Sequence, residues 1–325
     1  MKNLIRQREF GMFVLLVVLC AAVAVLNPRF LGSANLMNTA RLIGMYGILS
    51  IGVGLVIMTG GIDLSIGSMI ALLGILLAMA LTEWHLPWML AVGGALGVAA
   101  ALGWFHGRLI TRVGLQPFVV TLCGLLFYRG IARFIADDET KGFGTATGFE
   151  PLQYLATGEL FGVPMPFVLL IIVALIMGGV LQRTVYGRYL FAVGRNEQAA
   201  RYSGINTRRI IVSSYMICAL FTAVSAVLFA FYTNSVSPSS HGTFYELYGI
   251  AAAVLGGCTL TGGEGSVFGI VIGTALLQVL QNLVNLLGIP SSLNFAVMGA
   301  VILVGVIADR LLKSRPAQWS SRDAK

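Results

Sequence analysis

The segment Tyr245-Glu246-Leu247-Tyr248-Gly249-Ile250-Ala251-Ala252-Ala253-Val254-Leu255-Gly256-Gly257-Cys258-Thr259-Leu260 carries a single charge, Glu246, and its reading decides the architecture. Nine other stretches are plainly apolar: 11–26, 42–59, 64–82, 87–107, 114–134, 163–182, 210–232, 267–287 and 291–308. A bilayer core needs about 20 apolar residues per helix. Each of the nine is therefore a candidate span, the first one short. Hydropathy alone does not settle 245–260.

Charge placement favours a crossing. The basic residues cluster as Lys2/Arg6/Arg8, as Arg108/Arg112, as six Arg from Arg183 to Arg209, and as five residues from Arg310 to Lys325. Loops rich in Lys and Arg stay cytoplasmic. Four spans separate the N-terminus from Arg108 and two more reach Arg183, so those clusters share a side. Past Arg209, three clear spans would strand the basic C-terminus outside. Counting 245–260 as a crossing restores parity; a re-entrant 245–260 with a break elsewhere is the alternative. Segment 137–162 has Asp137, Asp138, Glu139, Glu150 and Glu159 against Lys141, which suits the outer side. The expected fold is an all-α polytopic membrane protein of about ten transmembrane helices (8–10), with both termini cytoplasmic. Residues 1–325 form one transmembrane domain, with a cytoplasmic loop at about 183–209 and a cytoplasmic tail at about 309–325.

Composition agrees. The 325 residues are 57% hydrophobic and only 10% charged, with a mean hydropathy of +0.88. A soluble protein carries about 25% charged residues, so soluble enzyme, nucleic-acid binder and disordered scaffold are all disfavoured. The net charge of +8 is chiefly an orientation code, since sixteen of 21 basic residues fall in the cytoplasmic clusters. Cys20, Cys123, Cys218 and Cys258 lie in apolar runs without paired spacing and read as small buried hydrophobes. Lys2, Arg6 and Arg8 before 11–26, with Ala22-Val23-Ala24 after, imitate a signal peptide, but the many later apolar runs favour a retained first span. Gly93/Gly97, Gly103/Gly107 and Gly269/Gly273 have the spacing that lets helix backbones approach closely in lipid.

Chemical motifs are few. None of the four lysines (Lys2, Lys141, Lys313, Lys325) stands in a Gly-Lys-Ser/Thr setting, so no Walker site is present. HExxH, CxxC and GxSxG are absent, and no catalytic, cofactor or metal residues are expected. Three carboxylates lie in apolar zones: Asp63, Glu246 and Glu264. An intramembrane carboxylate is a functional candidate, yet Asp63 follows a glycine break, Met58-Thr59-Gly60-Gly61-Ile62-Asp63-Leu64-Ser65. Asp63 or Ser65 capping a new helix is the plain reading, and a transport path through Gly60, Gly61, Asp63, Ser65 and Glu246 the sharper one. Leu260-Thr261-Gly262-Gly263-Glu264-Gly265-Ser266 repeats the pattern and hints at internal duplication, with both breaks on one side. Arg129 and Arg133 in the outer half of 114–134 are expected to snorkel outward, with lining of an aqueous path as the alternative. Residues 183–209 hold a short polar helix after Gly194, through Asn196, Glu197, Ala199, Ala200 and Arg201, which Gly204 can end. It reads either as a plain positive loop or as a surface offered to a soluble partner.

Four motifs in order give a resemblance over nearly the whole chain. They are Gly60-Gly61-Ile62-Asp63-Leu64-Ser65-Ile66-Gly67-Ser68; Gln116-Pro117-Phe118 through Thr121-Leu122 to Arg129-Gly130; Gly187-Arg188 through Ala192-Val193-Gly194-Arg195-Asn196 to Ser203-Gly204-Ile205; and Tyr245-Glu246-Leu247 with Ile250 to Gly257 and Gly262-Gly263. The chain resembles the permease subunits of bacterial ABC importers for monosaccharides, the ribose/xylose/arabinose/galactose group. The resemblance implies a bacterial inner-membrane transport subunit, not an enzyme, working with a separate sugar-type ATPase and a periplasmic binding protein. It implies two permease chains, identical or similar, around the pathway, and little information here about which sugar. Gly194, Asn196, Glu197, Ala199, Ala200, Arg201 and Gly204 would form the helix coupled to the ATPase. Gln198 departs from that helix's pattern, and 137–162 departs most of all. Permeases for branched-chain amino acids or nucleosides, or a self-contained H⁺- or Na⁺-coupled carrier using Asp63, Glu246 or Glu264, are the competing readings; a membrane scaffold with no solute path is a third.

Overall fold

The computed structural model of the chain describes residues 2–144 and 146–290, with Leu293, Ala296, Gly299, Ala300 and Leu303. The helices are α1 (Lys2–Leu26), α2 (Ser33–Met58), α3 (Ile66–Thr82), α4 (Trp88–Arg108), α5 (Pro117–Ile135), α6 (Glu150–Thr157), α7 (Met165–Arg183), α8 (Val185–Arg195), α9 (Glu197–Tyr202), α10 (Thr207–Thr233), α11 (Tyr245–Leu255) and α12 (Val267–Leu286). Strand β1 (Lys141–Gly142) pairs antiparallel with β4 (Ser235–Val236), and β2 (Glu159–Leu160) with β3 (Val163–Pro164). The chain is an all-α, multi-pass membrane protein. Among the described residues seven helices are long and apolar enough to cross a bilayer: α1, α2, α4, α5, α7, α10 and α12. Two more, α3 and α11, are apolar but shorter. The expected span at 291–308 and the tail at 309–325 lie outside the described residues but for five single positions.

Helix α10 runs 27 residues, about 40 Å, and sets the long axis. One of its ends adjoins α9 and the other β4. Along that axis the segment 245–260 behaves differently from a simple span. It is helical only over Tyr245–Leu255, about 17 Å, roughly half a bilayer core. Phe244, in a left-handed conformation, starts it, and Gly256-Gly257 ends it. The chain still passes from the β4 end to the α9 end, because Gly263 donates its N–H to the Met58 carbonyl at the foot of α2 (2.9 Å). An irregular stretch, 237–244, and a half-length helix divide the passage between them. The 59–65 segment is its counterpart: α2 stops at Met58, and the chain runs without helix to Ile66.

Helix α2 is the spine of the core, buried at every residue from Gly44 to Met58. Helices α7, α10, α11 and α12 pack directly against it, and α1 stands apart against α12, where Val23, Phe30 and Val279 make a small second core. Exposed apolar side chains such as Phe10, Met89, Leu126 and Leu175 ring the bundle, as lipid contact requires. Two of the three glycine pairs mediate close packing. A Cβ on Gly103 would lie 2.6 Å from the Tyr215 carbonyl and one on Gly107 2.6 Å from the Val212 Cα, so α4 meets α10 there. Gly269 and Gly273 let α12 meet the Gly256 and Ala252 carbonyls of the α11 segment. Gly93 and Gly97 face open space instead. Cys218 and Cys258 are buried as expected; Cys123 is exposed on α5, a correction to its expected burial, because its face of α5 meets no neighbouring helix among the described residues.

Candidate functional site

At the α9 end three segments meet backbone to backbone. Gly60, Gly262 and Gly263 all adopt positive φ (81°, 84° and 76°), a conformation costly for residues with a Cβ. A Cβ on Gly262 would lie 2.7 Å from the Gly60 nitrogen and 2.8 Å from the Gly194 carbonyl oxygen. One on Gly194 would collide with the Met58 carbonyl. The two Thr-Gly-Gly breaks therefore touch each other, and the last turn of α8 touches both.

Helix α9 extends from that junction. Its first free N–H groups are met by the Asn196 side chain, which accepts from Ala199 N–H at 2.9 Å. Glu197 accepts from Arg201 (2.8 Å) and from the Thr207 hydroxyl (3.0 Å), tying α9 to the start of α10. Ala200 packs inward, Ala199 and Arg201 face outward, and Gly204 ends the turn at φ 83°. Sequence reasoning passed over Tyr202, which follows Arg201 and is 90% exposed.

Farther along the axis lies a buried polar cluster. Asp63 and Ser65 are 1% and 0% exposed. Asp63 Oδ1 accepts from both the Ser65 N–H (2.9 Å) and the Ser65 hydroxyl (2.7 Å), which closes the turn ahead of α3. The capping expectation is thereby corrected for Ser65: its hydroxyl is spent on Asp63, and it makes no side-chain cap bond to α3. The Tyr215 hydroxyl donates to the Ile62 carbonyl at 3.0 Å, and Gly61 abuts the same ring. His106 Nε2 pairs with the Tyr128 hydroxyl at 2.6 Å. Gly124 leaves room for both His106 and Ser65.

The N-termini of α3 and α11 come together just beyond. A Cβ on Gly67 would strike both the Glu246 carboxylate and the Gly242 carbonyl. Glu246 is 7% exposed and lies within electrostatic reach of Arg129. Outward snorkelling of Arg129 is corrected: its guanidinium turns inward and donates to the carbonyls of Pro238 (3.0 Å) and His241 (2.7 Å). The reason is that the non-helical 237–244 segment leaves carbonyls that lipid cannot satisfy. Arg133, one turn on, is half exposed and pairs with Asp138, holding that carboxylate below its ordinary pKa through their hydrogen bond. So Gly60 and Gly61 stand at the α9-end junction, Asp63 and Ser65 in the buried cluster, and Glu246 where the N-termini of α3 and α11 meet.

One signal in the sequence went unread. Gln278, Gln281, Asn282 and Asn285 recur at i, i+3, i+4 and i+7 in α12, a polar stripe along an otherwise apolar helix. Among the described residues, no three His, Cys, Asp or Glu side chains converge on a possible metal site.

The family model described as "Branched-chain amino acid transport system / permease component" matches residues 35–306. The chain is 36% identical over 304 residues to the ribose import permease protein RbsC of Bacillus subtilis, covering 93% of each chain. It is 36% identical to the ribose import permease protein RbsC of Escherichia coli, covering 90% of this chain and 91% of that one. It is 31% identical to the D-allose transport system permease protein AlsC of Escherichia coli, over 94% and 92% of the two chains. No solved structure matches it significantly.

Proposed function

From its membership of the family of transport-system permease components, we propose that the chain is the transmembrane subunit of an ATP-binding-cassette importer taking up a monosaccharide. The observation that carries the reading is full-length similarity to sugar permeases, at 36% identity over 93% of the chain. The chain is a transport subunit and catalyses no bond change; a separate ATPase would hydrolyse ATP. The basic α8–α9 end would face the cytoplasm and the acidic 137–162 end the outside of a bacterial inner membrane. A binding protein would deliver sugar at the outer end, and two such permeases, identical or similar, would enclose the path.

Helix α9 is the proposed docking element for the ATPase. It is short, polar and capped, and it ends on an exposed tyrosine, the residue type that dominates binding hot spots. ATP binding would close the ATPase dimer and displace α9. Gly194 would carry that displacement to Met58 and Gly263, the hinges of both interrupted helices. The permease is then a two-state element biased by its partner's nucleotide state.

Deletion of 196–203 tests this reading. Membrane insertion is expected to persist while co-purification of the ATPase and sugar uptake are lost. ATPase recovered at wild-type yield with the deleted chain would sink it. Uptake that survives Asp63→Asn and Glu246→Gln, and vanishes without the ATPase, would eliminate a self-contained ion-coupled carrier.

A further inference from the structure

The amide stripe of α12 needs an explanation that helix packing alone does not supply. Gln278, Gln281, Asn282 and Asn285 lie within an arc of about 100°, in a helix with no charged residue from Val267 to Leu286. Part of the stripe is paired: Asn282 and Asn35 of α2 exchange two hydrogen bonds, 3.1 and 2.7 Å. Beside them the Tyr248 hydroxyl lies against the Gln281 side chain. Tyr245 packs, tilted, against Tyr46 (4.9 Å between ring centroids) and Phe229 (4.8 Å). The Tyr232 hydroxyl donates to Asn38 Oδ1 at 2.8 Å.

Toward the end of α12 the stripe opens. Asn38, Tyr232, Tyr245 and Gln281 are half-buried, and Asn285 is exposed. Polar side chains used only to join helices in lipid would be closed off against one another. An amide row that continues outward into an exposed asparagine instead lines a wetted surface.

The chemistry of that surface is specific. A carboxamide offers a donor and an acceptor side by side, which matches two neighbouring hydroxyls of a sugar. Tyrosine rings offer apolar faces to its C–H groups and hydroxyls to its oxygens. The charge-free α12 suits a neutral solute better than a zwitterionic amino acid. We propose that Gln281 and Asn285, linked through Tyr248 to Tyr245, Tyr232 and Asn38, form an outer subsite where the permease receives a neutral polyhydroxylated solute and discriminates among its hydroxyl patterns. This inference rests on the importer reading and adds to it a recognition step within the membrane subunit.

The test uses cells expressing the complete importer, supplied with radiolabelled D-ribose, D-allose or D-fructose and with the deoxy analogue of whichever is taken up. Gln281→Leu and Asn285→Leu are each expected to lower the maximal uptake rate roughly tenfold, the effect of about one lost hydrogen bond. Half-saturation should hold, because the binding protein sets it, and the preference for the sugar over its deoxy analogue should narrow. Asn285→Gln should recover part of the rate. ATPase co-purification and membrane yield should stay at wild-type values, Asn285 being exposed. Variants that keep the wild-type rate and preference overturn the inference, as does uptake that falls only in step with membrane yield, which assigns the stripe to packing. A wild-type importer that takes up none of these three sugars, and none of D-xylose, L-arabinose and D-galactose, overturns the monosaccharide reading itself.

Discussion

At the α9 end, Gly60, Gly194, Gly262 and Gly263 bring three chain segments into backbone contact, whereas at the β4 end Asn35, Asn38, Asn282 and Tyr232 join helices through side-chain hydrogen bonds. The difference has mechanical content. Backbone packed on backbone has no rotamer to absorb a shift, so a displacement at Gly194 must move Met58 and Gly263. Amides and tyrosines can exchange one partner for another, including water or a solute hydroxyl, at little net cost. On the proposed reading, one end transmits and the other recognises.

The largest test of this contrast is Gly194→Leu. The side chain cannot fit between Met58 and Gly263, and uptake should fall by about a hundredfold or more at matched membrane yield, the consequence of overpacking a site with no slack. Uptake retained at half the wild-type rate would show that the junction yields, and the contrast would break. Arg129→Ala comes next, where the N-termini of α3 and α11 meet. It frees two carbonyls and leaves Glu246 without its cationic neighbour, for an expected loss of about 3 kcal/mol in detergent unfolding. Arg129→Lys should restore only a minor part, since an ammonium lacks the planar fork that reaches both carbonyls. A smaller effect is expected from Asn282→Leu, which removes the paired amide bonds at the β4 end: about 1 kcal/mol of stability by the same measurement. A loss as large as that for Arg129→Ala would make the β4 end as unyielding as the other. Smallest is Asn196→Ala, which removes the α9 cap at a cost of about 0.5–1 kcal/mol, read as a few-fold weaker ATPase co-purification with uptake reduced in step.

Much of the fold was legible because lipid imposes simple rules. Apolar runs at 87–107, 114–134, 163–182, 210–232 and 267–287 became α4, α5, α7, α10 and α12 within a few residues. The short helix after Gly194 and its end at Gly204 followed from cap and glycine chemistry, which acts over three or four residues. The segment 245–260 was harder, since an apolar run says nothing about whether its backbone stays helical. Phe244 in a left-handed turn precedes it, Gly256-Gly257 ends its helix after Leu255, and Arg129 of α5 binds the carbonyls ahead of it. The same contact explains why the inward turn of Arg129 was not visible in sequence: position in a span indicates depth and leaves direction open. The amide stripe was legible by its spacing and passed over because each amide alone looks like a tolerated polar residue.

Composition, charge clusters and the spacing of apolar runs by themselves determined a multi-pass helical membrane protein, since burial of backbone groups in lipid leaves few alternatives. Its motifs determined the transport family, and Asn196 and Gly204 determined where α9 starts and stops. Only the tertiary structure decided that the two Thr-Gly-Gly breaks touch at Gly194, that the N-termini of α3 and α11 meet at Gly67 and Glu246, and that the α12 amides meet Asn35 of α2 and Tyr248 of α11. Those are contacts between residues up to 247 positions apart. Local pattern encodes how a segment responds to its solvent, whereas the partner it meets depends on how every other segment has packed.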